Sequence, residues 1–268
     1  MTPDIDNKIE KFEDKIIKNR IKLKDSNFKE AIQRVLDQRT LSFLYKLINN
    51  KIINEIVGII NQGKEANIYL ALNMDNNPVA LKIYKIDINS SKWMKEYIVG
   101  DPRFKKIGNS IDKIIFLWCS KEYKNLMRIH KHNILCPMPI YSRNNILVMQ
   151  YIGDKDGTPS KLIKDSINEI KNPEKELKIS LKFIEDLYKK AKLVHGDLSE
   201  FNILYYKEKQ YIIDVSQSIS IDHPKALYFL SRDIKNIINF YKKFDIDVPS
   251  SEEFYYNIIN EYKKDEKN

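Results

Sequence analysis

His195-Gly196-Asp197-Leu198-Ser199-Glu200-Phe201-Asn202 sets an aspartate and an asparagine five residues apart, and Ile212-Ile213-Asp214 adds a second carboxylate on a short apolar run. Phosphoryl transfer asks for groups in this order. One carboxylate faces the attacking hydroxyl or water, an amide holds a metal ion, and a later carboxylate links the metal to nucleotide phosphates. Upstream, Ala80-Leu81-Lys82 ends a strand-like run with an ammonium that reaches phosphates only if its long side chain is held straight. Glu122 is the expected clamp. Ile111, Ile115, Trp118, Glu122, Leu126 and Ile129 fall on one helical stripe, and a carboxylate amid apolar neighbours is costly to bury unless paired.

Three further stretches belong to this reading. Asn61-Gln62-Gly63-Lys64-Glu65-Ala66-Asn67-Ile68 lies just before Lys82 and suits a tight turn whose amides cradle phosphates, although it carries one glycine only. Val148-Met149-Gln150-Tyr151-Ile152-Gly153 suits an extended linker that hydrogen-bonds an adenine edge, with Met149 at the back of the pocket. His195 is expected to fix backbone rather than move protons. Asp233 either anchors the Asp197 loop from below or is an ordinary carboxylate at a helix N-terminus.

The elements that must position these residues divide the chain in two. Residues 1–50 read as a charged helical extension in which Val35, Leu36, Leu41, Phe43, Leu44, Leu47 and Ile48 line one face. Strands are expected at 52–60, 67–72, 79–84 and 146–152, with turns at Asn76-Asn77-Pro78 and Arg143-Asn144-Asn145. Residues 85–110, rich in serine, glycine and lysine, read as a long mobile loop, and 111–131 as a helix. Helices are expected at 160–170, 174–192, 224–242 and 251–263. Strands first and helices later is an α+β arrangement of two lobes: 51–150 β-rich, 151–268 helical, a hinge near 149–153, and a ligand cleft between them.

Composition fits a folded domain. Of 268 residues 43% are hydrophobic, with 16 tyrosines and 11 phenylalanines, which supports a sizeable core. No apolar run is long enough to cross a membrane and no leader is visible. The two cysteines, Cys119 and Cys136, form neither a disulfide framework nor a metal spacing, as expected of a reduced cytoplasmic protein. The net charge of +9 suits a polyanionic partner, but the lysines are scattered rather than blocked.

From about residue 35 to 242 the chain resembles the RIO family of atypical serine/threonine kinases. The matching segments are Gly63-Lys64-Glu65-Ala66-Asn67, Glu96-Tyr97, Gly100-Asp101-Pro102-Arg103-Phe104, Leu193 to Glu200, Ile213-Asp214-Val215-Ser216-Gln217 and His223-Pro224. The last two look like the type-one subfamily, and a prefix of about 50 residues is too short for the winged-helix domain of the second. The resemblance implies a two-lobed protein-kinase-like fold and ATP with magnesium, manganese being a substitute ion. It implies a Lys82–Glu122 ion pair, Asp197 as catalytic aspartate, and Asn202 and Asp214 as metal ligands. Gln62, Gly63, Lys64 and Glu65 would cover the phosphates. Ala80 and Met149 would line the nucleotide pocket, and the backbone of Gln150 and Ile152 would read adenine. It further implies that Asp214 can carry the phosphoryl group as an aspartyl-phosphate, and that the partner is the maturing small ribosomal subunit, rRNA and ribosomal proteins included. A monomer is the favoured state. Lys92, Lys95, Lys105 and Lys106, with Trp93 and Phe104 to stack on bases, are the expected RNA contacts.

The chain departs from ordinary protein kinases. No arginine precedes Asp197, no lysine follows two residues later, and no activation segment separates Asp214 from the helix at 224. That disfavours broad peptide phosphorylation. Two alternatives stand beside this reading. A small-molecule phosphotransferase of the aminoglycoside or choline kinase type would need acidic residues for a cationic substrate, where this C-terminal half is lysine-rich. A non-catalytic pre-ribosome scaffold would have no need of the complete set of polar site residues.

Overall fold

The computed structural model describes residues 36–105 and 107–265; Val35, the rest of the N-terminal stretch and Lys106 lie outside the described residues. Helix α1 (Gln38–Asn49) opens on Asp37, whose carboxylate accepts from the Thr40 amide and caps the first turn. Its apolar stripe Leu41, Leu44 and Leu47 packs on one face of a five-stranded antiparallel sheet. The strands are β1 (Glu55–Gln62), β2 (Ala66–Leu72), β3 (Pro78–Tyr84), β4 (Pro139–Arg143) and β5 (Ile146–Gln150), in the order β1-β2-β3-β5-β4.

Strand alternation decides what faces the cleft. Val79, Leu81 and Ile83 of β3 join the α1 side, so Ala80, Lys82 and Tyr84 point the other way. Both faces of β3 are therefore covered, and Lys82 is buried with the rest of the strand.

The stretch expected as a mobile loop after β3 instead carries a helix. Helix α2 (Ile88–Ile98) is capped by Asp87, which accepts from the Ser90 amide at 2.9 Å, and it buries Ser90, Ser91, Met94 and Ile98. The serines that looked loop-like lie inside, and the Ser91 hydroxyl donates to the Ile88 carbonyl. Trp93, half-buried, sits edge-on against Trp118, and Phe104 is buried and so not free to stack on a base.

Helix α3 (Ile111–Lys131) matches its expected span, with Asp112 in the first turn and Arg128, His130 and Lys131 in the last, as the helix dipole favours. Residues 160–170 are not a helix. They form β6 (Lys161–Leu162), paired with Tyr205 and Leu204, and two 3-10 turns, Ile163–Asp165 and Ile167–Glu169. Ile163, Ser166 and Ile170 are buried at intervals that mimic helical periodicity, and strand pairing decides the outcome. Next come α4 (Pro173–Lys189), β7 (Leu193–Val194), the hairpin β8 (Ile203–Tyr206) and β9 (Lys209–Ile212), β10 (Ile219–Ser220), α5 (Ala226–Tyr241) and α6 (Ser251–Asp265). The result is an antiparallel-sheet lobe above a helical lobe, the two-lobed α+β arrangement expected.

Asn145, fully buried at the β4–β5 turn, donates to the Thr40 hydroxyl at 2.9 Å and the Tyr84 carbonyl at 2.8 Å, joining α1, β3 and the hairpin. Asn145→Ala removes both donors; urea unfolding is expected to show a loss of about 1–3 kcal/mol.

Candidate active site

Lys82 Nζ lies 2.7 Å from Glu122 Oε1 and 2.9 Å from Asp214 Oδ1. Glu122 is clamped from its other oxygen by the Tyr84 hydroxyl. Burial works against the ammonium, but Asp214 and Glu122 outweigh it and hold the pKa of Lys82 above its ordinary value. Burial likewise opposes ionisation of Asp214, and the Lys82 charge overcomes it, leaving that carboxyl below the usual range. Burial pushes Glu122 up, with Lys82 pulling against it.

Asp214 has φ +57° and ψ +51°, a left-handed conformation that aspartate tolerates better than most residues. Its Oδ1 also accepts from Ser216 Oγ at 3.1 Å.

Across the cleft, β7 delivers the loop that carries Asp197. Gly196 has φ +84°, where glycine costs nothing. Asp233 on α5 accepts the Gly196 and Leu198 amides, each at 2.9 Å, so it does anchor the loop from below. Burial pushes its carboxyl up to about 7 against those two donors. His195 Nε2 is 3.1 Å from the Ile213 carbonyl; a carbonyl only accepts, so Nε2 carries the proton. Burial depresses this imidazole to about 4 and keeps it neutral, a structural role as expected.

Asn202 Nδ2 donates to the Asp197 carbonyl at 2.7 Å, which leaves its side-chain oxygen for a cation. Asp197 itself is half-buried: Oδ2 receives Gln217 Nε2 at 3.3 Å, and Oδ1 lies 3.7 Å from Arg232. Burial raises its carboxyl while Arg232 lowers it. Arg232 also donates to the Gly196 carbonyl. The guanidinium missing before Asp197 in the sequence is thus supplied from α5.

The turn over the cleft closes by Gly63 N to Ala66 O at 2.9 Å, and Lys85 Nζ holds the Gly63 carbonyl at 2.7 Å. A Cβ at Gly63 would stand 2.8 Å from Ala66 O, so the single glycine of this loop is required. Below it lies a cavity of about 480 Å³ lined by Gly63, Lys64, Glu65, Ala80, Lys82, Met149, Gln150, Ile152, Asn202 and Asp214 among others. Gln62, at the exposed end of β1, does not line it; Glu122 stands behind Lys82, and Asp197 is not among the lining residues. At the linker, the Gln150 amide is taken by the Met138 carbonyl at 2.8 Å, and the Ile152 carbonyl accepts from the amide and hydroxyl of Ser160.

Sequence reasoning missed Arg232, Gln217, Tyr84 and Lys85. Glu65, expected to cover the phosphates, also sets a carboxyl in the cavity wall, which burial and then Asp214 push up to about 7.

Residues 67–254 match the family model for the RIO domain. The chain belongs to the RIO family. It is 37% identical over 253 residues to the serine/threonine-protein kinase rio1 of Dictyostelium discoideum, covering 94% of this chain and 44% of that protein. With the RIO-type serine/threonine-protein kinase Rio1 of Methanocaldococcus jannaschii it shares 38% over 227 residues, 84% and 77% of the two chains. These matches place it with the type-one RIO proteins. The chain spans less than half the length of its amoebal, human and fission-yeast relatives. The fold is similar to that of a Chaetomium thermophilum Rio2 kinase solved as an ADP/Mg2+-phosphoaspartate complex, with TM-score 0.63, 22% identity, and 82% and 67% of the two chains covered.

His195 predicts an acid limb in stability. The unfolded chain binds a proton there below about pH 6.5, whereas the folded chain does so only near 4, so stability falls as pH drops through that window. The loss is about 3 kcal/mol. Asp233 acts in the opposite sense, so the measurement is the difference between wild type and His195→Phe in urea unfolding from pH 4 to 7: the variant is expected to lack this limb.

Proposed function

We propose that the chain is an ATP- and magnesium-dependent phosphotransferase of the RIO type, an atypical serine/threonine kinase or ATPase. The observation that carries this reading is the Lys82 ammonium bridging Glu122 and Asp214 in a cleft whose opposite wall presents Asn202, with Asp197 beside it. Asn202 and Asp214 offer hard oxygen donors. Magnesium suits such a pair, since it binds through one or two protein groups together with substrate phosphates. When bound, the ion neutralises charge on the β- and γ-phosphates.

On this reading the chain's own residues act as follows. Gln150 O and Ile152 N hold adenine against Ala80, with Met149 at the back of the pocket. The Gly63–Glu65 amides and Lys82 position the phosphates, and Glu122 keeps Lys82 straight. In the ATPase branch an Asp214 oxygen attacks the γ-phosphorus as the bond to ADP breaks, giving an aspartyl-phosphate and ADP. Water, deprotonated by Asp197, then attacks that phosphorus and releases inorganic phosphate, restoring Asp214. In the kinase branch Asp197 takes the proton of an acceptor hydroxyl instead. Asp197 is suited to this because Gln217, Asn202 and Arg232 orient it.

Single-turnover reaction with γ-labelled ATP separates the branches. Protein label that hydroxylamine removes and that Asp214→Ala lacks is the expected result for the aspartyl-phosphate; resistant label on serine or threonine favours the kinase branch. Asp197→Ala should slow turnover by on the order of 10²–10⁴. Neither label nor phosphate release from wild type would overturn the enzymatic reading.

The wider setting we propose is cytoplasmic, a monomer engaging the maturing small ribosomal subunit. The +9 charge supports a polyanionic partner. With Phe104 buried and Trp93 packed edge-on against Trp118, the RNA contact rests mainly on charge, through exposed Lys92, Lys95 and Lys105. Reversing these three should weaken rRNA binding and flatten its dependence on salt; an unaltered salt slope would rule them out.

A further inference from the structure

Lys121 has no direct part in the proposed chemistry, yet it is a fully buried lysine next to Glu122 on α3. Among the described residues no carboxylate lies within ion-pair distance of it. Its Nζ donates instead to the carbonyls of Ser216 and Ser218, both at 2.6 Å, and lies 5.0 Å from the Trp118 ring centroid. Asn125, one turn on, donates to Val215 O at 2.7 Å and Ser218 O at 3.0 Å. Arg103, held by Asp101, reaches the same Ser218 carbonyl at 3.3 Å. Three donors from α3 and the segment before it thus converge on the turn directly after Asp214.

That turn has something to hold. Asp214 sits in the left-handed region, a placement that persists only when its surroundings impose it. Burying an amine against two carbonyls is a costly way to fill a core position, and an apolar side chain would serve packing alone.

We infer that Lys121 is a positioning residue for Asp214: by gripping the carbonyls of Ser216 and Ser218 it fixes the left-handed turn that aims the Asp214 carboxylate at the metal site. The inference rests on the proposed role of Asp214. Groups that orient metal ligands in this way are worth about 10–100-fold in metal affinity.

The test is ADP binding by calorimetry, with and without magnesium, for wild type and Lys121→Met, each checked for a cooperative thermal melt. Metal-free ADP affinity should stay within about 2-fold, because the adenine linker and Lys82 are untouched, while the tightening produced by magnesium falls at least about 10-fold. Tightening equal to wild type overturns the inference, and so does an equal loss of metal-free binding, which would mark Lys121 as structural only. If wild type itself shows no magnesium-dependent tightening, the metal role of Asp214 fails first and this inference with it. Should Lys121→Met not fold, Lys121→Gln, which can satisfy one carbonyl, is read by the same two criteria and should show a smaller loss of the magnesium effect.

Discussion

The arrangement turns on one buried ammonium. Removing Lys82 from water costs several kcal/mol unless opposite charge stands close by, and the chain answers with two carboxylates rather than one. The two are not equivalent. Glu122 is sealed behind the strand and held by Tyr84, whereas Asp214 faces the cavity with its side chain 42% exposed. One partner is permanent and the other is open to exchange. On the proposed reading a metal ion and phosphates take up Asp214 while Glu122 keeps Lys82 in place, so ligand entry exchanges charge partners without stranding any charge.

Helix α3 makes this arrangement rigid. Ile115, Trp118, Leu126 and Ile129 bury its apolar stripe, and from that anchored face Lys121, Glu122 and Asn125 reach two different elements. Glu122 serves β3, while the other two serve the turn after Asp214. A shift of the helix would disturb both ends of the Lys82–Asp214 bridge together, which ties assembly of the site to packing of the core.

Much of this was legible in the sequence where a local pattern had one consistent meaning. The α3 stripe matches the span of the helix and the burial of Glu122, and the Asp197, Asn202 and Asp214 order picks out groups that the fold brings close together. The pattern misled where two structures share it. Ile163, Ser166 and Ile170 fit a helix, but long-range pairing of Lys161 and Leu162 with Tyr205 and Leu204 overrides local periodicity. Ser90 and Ser91 read as loop because serine is usually exposed, although Asp87 was a helix cap in plain view. Arg232, Gln217 and Lys85 were out of reach, since each acts on a residue distant in sequence or through backbone carbonyls that leave no trace in residue type.

The departures from ordinary protein kinases take on a physical meaning in this light. Between Asp214 and α5 stand only the Val215–Gln217 turn, the two-residue strand β10 and a short turn through His223. Nothing there is long enough to swing in and out. The contacts that order this segment come from fixed elements instead: Lys121, Asn125 and Arg103 hold its carbonyls, while Arg232 and Asp233 hold the loop of Asp197. These are side chains on helices and on an ordered turn, largely withdrawn from solvent. A site built this way needs no added charge to assemble it. It therefore depends on what enters the cleft, which on the proposed reading is nucleotide and magnesium.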